Sequence, residues 1–121
     1  MKGTMITIRA DGSTSLMPVD ASPDLETLKD GIGGGYLELV PGWKQIPFEN
    51  GKLQPCVAFC DEDGKRKQLP VNERATKLWF AMLQLETPRS QLFNDVLVGS
   101  VVILTGDEAF MRSLREDEDG R

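Results

Sequence analysis

"DVLVGSVVILTG", residues 95 to 106, is the stretch whose reading decides the fold. It is an almost unbroken aliphatic run, rich in β-branched residues and far short of the ~20 apolar residues that cross a bilayer. It lacks the alternation of a strand wetted on one face, so it is expected to be a central strand buried on both faces. Gly99 within it marks a bulge or a close approach by another element. Asp95, just before the run, is a candidate binding residue; its bland alternative is the end of a loop.

The neighbours of this strand follow from their own patterns. Upstream, "NERATKLWFAMLQLE" contains neither Gly nor Pro and starts with Asn72, a good N-cap. Ala75, Leu78, Trp79, Met82 and Leu85 or Glu86 fall at helical spacing, and Pro88 is expected to end the helix. Asn72 is also a candidate site residue, with the cap as its structural reading. Downstream, Asp107 is expected to cap a short amphipathic helix carrying Phe110, Met111 and Leu114. The acidic "REDEDGR" end is expected to be a flexible tail over residues 116–121, leaving a single domain over 1–115.

The N-terminal half is richer in turns. "TMITIR" alternates, Asp11-Gly12 turns, and Leu16, Met17 and Val19 return, predicting a hairpin. Ser22 at an N-cap and Pro23 at the first helical position predict a short helix with Leu25, Leu28 and Ile32 on its apolar face. "DGIGGGYLELV" then packs four glycines into six positions. A phosphate-holding loop follows a strand and opens a helix, whereas here a helix enters and a strand leaves. The reading is a C-cap at Gly31 with further left-handed positions through Gly35. Tyr36 to Val40 is a strand stopped by Pro41-Gly42. Trp43, Ile46 and Phe48 form a less regular stretch ending at Asn50-Gly51. "PCVAFC" is a buried strand, and "DEDGK" is expected to turn the chain into a further short strand at Arg66 to Leu69, completing a meander.

Composition bounds the chemistry. The chain has 121 residues, 40% of them hydrophobic and 27% charged, which suits one globular domain. Its start, "MKGTMITIRADG", alternates and turns early, unlike a secretory leader, so a cytoplasmic location is expected. Net charge is −5 and histidine is absent, which removes the usual near-neutral base, zinc ligand and imidazole triads. Direct nucleic-acid binding is not expected from an acidic chain, though an acidic surface suits a basic site on another protein. "DEDG" resembles the middle of a calcium loop, but the first ligand position then falls on Phe59 and the last on Pro70, so a turn is read instead. Cys56 and Cys60, four apart on a strand, would lie roughly 13 Å apart, beyond disulfide reach. Buried thiols are expected. Trp43 is either core or, near Phe48, an exposed anchor for a protein partner. Glu38, on an otherwise apolar strand, is a further binding candidate, with a solvent-facing position as its alternative.

Four landmarks in order, "ITIRADG", "GGYLELV", "CDEDGKRKQLPVNERAT" and "DVLVGSVVIL", carry a resemblance. The chain resembles the small proteins of phages, plasmids and integrative elements grouped as a domain of unknown function, DUF3846. The likeness spans roughly Ile6 to Leu104, and "LPVNERAT" after the acidic-Gly turn is its most specific piece. It implies a mobile-element accessory role and supplies no catalytic residue; the "GWKQIPFENGKLQP" segment and the tail after Gly106 depart from it.

The expectation is therefore a compact α+β domain with a mixed or antiparallel sheet of five to six strands and two to three helices. The expected function is a non-enzymatic accessory protein that binds a host protein, such as one of defence or restriction, without cofactor, metal or membrane. The alternative is a binder or sequestering protein for a nucleotide-type small molecule.

Overall fold

The computed structural model describes the backbone of residues 2–86 and 95–119 and the side chains of residues 2–85 and 95–115. Six strands form one antiparallel sheet: β1 (Gly3–Ile8), β2 (Thr14–Val19), β3 (Leu37–Leu39), β4 (Gln45–Phe48), β5 (Lys52–Asp61) and β6 (Val101–Gly106). The order is β2-β1-β6-β5-β3, with β4 also on β5. Among the described residues three helices accompany it: α1 (Leu25–Gly31), α2 (Glu73–Glu86) and α3 (Glu108–Asp119). This is the expected α+β class. No helix among the described residues is long and apolar enough to cross a membrane.

β6 takes the central place that its composition demands. It pairs with β1 and with β5, and Val101 to Thr105 are all buried. The pleat sorts side chains into two cores. Ile6, Ile8, Cys56, Ala58, Cys60, Val101 and Ile103 face α2, where Ala75, Trp79 and Leu83 close over them. Met5, Val102 and Leu104 face the other way, towards Leu28 and Ile32 of the α1 segment and Phe110 of α3.

β3 and β4 are two segments of one edge. Leu39 lies opposite Phe59 and Gln45 opposite Pro55, so residues 40–44 face only 56–58. Two extra residues bulge out at Pro41-Gly42-Trp43, which swings the Trp43 ring inward to 3% exposure. Three prolines lie within strands: Pro18, Pro47 and Pro55. Each occupies a non-hydrogen-bonded position towards its hairpin partner, so its missing N–H faces away from that ladder.

Several expectations are corrected. Asp24, not Ser22, caps α1, its carboxylate accepting from the Thr27 N–H at 2.8 Å. Gly31 is still helical; the positive-φ exit runs through Gly33, Gly34 and Gly35, as the chain hands over to β3. Residues 66–69 form no strand, because turns closed by hydrogen bonds from Lys67 to Asp63, Gln68 to Lys65 and Leu69 to Gly64 consume the backbone. The "DVLVGSVVILTG" run is also interrupted. Val98 makes only an isolated bridge to Val71, and Gly99 (φ 71°) lets Leu69 approach before β6 begins. On α2 the buried face is Ala75, Thr76, Trp79 and Leu83, while Leu85 is exposed. The α3 backbone continues through Asp119, into the stretch expected as tail. Pro88 lies outside the described residues.

Candidate functional site

The sequence candidates do not gather into one site. Trp43 takes the core alternative and not that of an exposed anchor: it is buried, its indole N–H donating to the Gln45 carbonyl at 3.0 Å. Phe48 is half-buried against the same core. Asn72 is fully buried and structural. Its Oδ1 accepts the Ala75 N–H at 3.0 Å, and its Nδ2 donates to the carbonyls of Ile8 and Gly99 at 2.8 Å each. Asp95 is exposed, paired with Lys65, and accepts the Val96 N–H at 2.8 Å. Those two donors hold its carboxyl below the usual range.

Glu38 is exposed on β3 directly opposite Cys60. Burial pushes the Cys60 thiol up to about 11, helped by the negative charges of Glu38, Asp61 and Asp95. Glu38 and Asp95 thus act on one thiol, yet no three His, Cys, Asp or Glu side chains converge as a metal-ligand set among the described residues. Nearby, Asp61 is a buried carboxylate. Burial opposes its charge, but the Lys67 ammonium at 2.7 Å and the Asp63 N–H at 2.9 Å outweigh it and lower its pKa. The glycine exit passes tightly over this pair: a Cβ on Gly35 would come within 2.8 Å of both Asp61 and Lys67.

The concave features lie elsewhere. At one end of the sheet, Lys2, Gly3, Gly106 and Gln54 border a notch of about 830 Å³ that also carries Asp20, Glu49 and Asp107. The second is a groove of about 630 Å³ on the sheet face beneath α1 and α3. Its origin is geometric. α1 and α3 both settle over β6 and β1. Gly31 allows this, since a Cβ there would meet Val102 Cγ2 at 2.5 Å and Met5 Cε at 2.9 Å. Phe110 of α3 likewise packs onto Gly3 and Gly106. Helices placed there leave the β5–β3 half of the face only partly covered, with Leu37, Val57 and Phe59 half-buried. Val57, Phe59, Leu37 and Leu104 form the floor, with Leu28, Met111 and Leu114 along the walls.

Among the described side chains, the polar ones in the lining are Ser22, Lys44 and Arg115, with the Cys56 thiol beside them. Among the side chains that the structure describes, no carboxylate lines the groove, although the chain holds 19 Asp and Glu against 14 Lys and Arg. Neither Lys44 nor Arg115 is ion-paired to a carboxylate among the described side chains. The sequence reading named none of these residues as a site. Alternating apolar residues on β5 look like ordinary core, and two lysine or arginine residues 71 positions apart give no local signal.

Set against protein-family models, curated proteins and solved structures, the chain matches none. The family resemblance therefore rests on the sequence landmarks alone.

Proposed function

We propose that the chain is a non-enzymatic binding protein whose working surface is the groove between α1 and α3. One observation carries this reading: an apolar concavity with two cationic residues among its lining and no carboxylate among the described side chains that line it, on a chain of net charge −5. Ligand sites are typically concave and mostly apolar with a few placed polar groups, at ~300–1,000 Å³, and the groove has that composition and size. The mobile-element resemblance makes a component of the host cell its target. The nucleotide-type alternative finds less support. The glycine-bordered notch sets Lys2 against Asp20, Glu49 and Asp107, a poor setting for phosphate.

The test is a fluorescence titration with anilinonaphthalene sulfonate, an apolar anion. Saturable one-site binding is expected, and Leu114→Glu, which adds a carboxylate to the wall, should weaken it at least about tenfold while the far-UV spectrum stays unchanged. Binding that ignores Leu114→Glu, or none at all, would overturn the groove as the working surface.

A further inference from the structure

Resting on that reading, we propose that the groove takes a single-chain amphiphile with an anionic head, a fatty-acid-like molecule, with the chain along the floor and the head between Lys44 and Arg115. The floor decides against an extended peptide. β5 pairs with β6 on one side and with β3 and β4 on the other, so its backbone has no free ladder to offer a docking strand. A peptide backbone lying over Val57, Phe59 and Leu104 would lose water and regain no hydrogen bonds. A hydrocarbon chain has no polar group to satisfy there. The lining holds the residue types that such a head needs: Lys44 with an ammonium, Arg115 with a guanidinium able to grip two oxygens, and Ser22 with a hydroxyl. A cationic or zwitterionic head would find no carboxylate to meet its positive charge among the described side chains of the lining.

The experiment displaces anilinonaphthalene sulfonate with dodecanoate, dodecanol or an apolar helical peptide with an acidic flank. It uses the full chain and its Lys44→Gln/Arg115→Gln variant. Dodecanoate should displace the dye about tenfold more effectively than dodecanol, and the double variant should erase that difference. Equal displacement by dodecanoate and dodecanol would overturn the anionic-head assignment and leave the groove intact as a site. Displacement by the peptide alone would overturn the amphiphile in favour of a protein partner. Dye binding that neither alkyl probe disturbs would overturn the hydrocarbon occupant, whereas absence of dye binding strikes the groove reading itself.

Discussion

Asn72 shows how much one buried amide can hold. Its oxygen caps α2, and its nitrogen ties the end of β1 to the Gly99 turn, three hydrogen bonds from a side chain without solvent contact. Losing a cap costs ~0.5–2 kcal/mol, and stranding buried carbonyls adds ~1–3 kcal/mol. Asn72→Ala should therefore cost about 3 kcal/mol in guanidinium unfolding. Asn72→Asp keeps the cap acceptor but turns oxygen towards two carbonyls, so it should rescue nothing. The cap was legible, because Asn before a Gly- and Pro-free amphipathic run is a local pattern. The bonds to Ile8 and Gly99 were not, since they span 64 and 27 residues. Cys60 makes a second residue-scale prediction. With its thiol raised to about 11 by burial, it should stay unreactive to a disulfide-exchange reagent at pH 8 until the chain is unfolded.

At the scale of elements, α1 is the sensitive one. It has seven residues, and its position depends on Gly31 lying against Val102 and Met5. Gly31→Ala would gain ~1 kcal/mol of helix propensity, but overpacking a core costs ~1–3 kcal/mol. The Val102 contact is the rigid one, so the clash should win by about 1 kcal/mol, read as a lowered thermal midpoint. The sequence revealed α1 and the buried Leu28 and Ile32, but Leu25 of its expected apolar face is exposed and the ends were misplaced by two residues or so. Ser22 and Asp24 are both competent caps, and only the Thr27 contact selects Asp24. The missing strand at 66–69 has a similar origin: the polar turn keeps its hydrogen bonds within itself, which alternation alone does not reveal.

For the whole molecule, the burial of β6 on both faces was readable from its nearly unbroken apolar run, but the division into two cores and the groove were not. Every floor residue has the composition of core. What leaves the β5–β3 half only partly covered is where α1 and α3 land, fixed by close contacts at Gly31, Gly3 and Gly106. Electrostatics also act at this scale. Asp11, Asp24, Asp61, Asp95 and Asp107 all have lowered pKa values, so their stabilisation is complete above the unfolded Asp value of ~3.9 and is lost as pH falls through the folded values. Cys60 works in the opposite direction, because its raised value costs stability only above the unfolded thiol value of ~8.5. Melting temperatures should thus plateau between about pH 5 and 8, and Asp61→Asn should flatten the acid limb.

The in-strand prolines have a consequence for how molecules meet. Pro18 and Pro47 leave gaps in the donor rows of the outward edges of β2 and of the β4 segment. An approaching chain finds carbonyls there without the full set of N–H groups that would zip it on, so runaway fibre growth has no clean template at either side. Restoring one donor with Pro18→Thr, beside the exposed Leu16 and Met17, should raise light scattering in concentrated solution, whereas Asp20→Asn just beyond the strand should not.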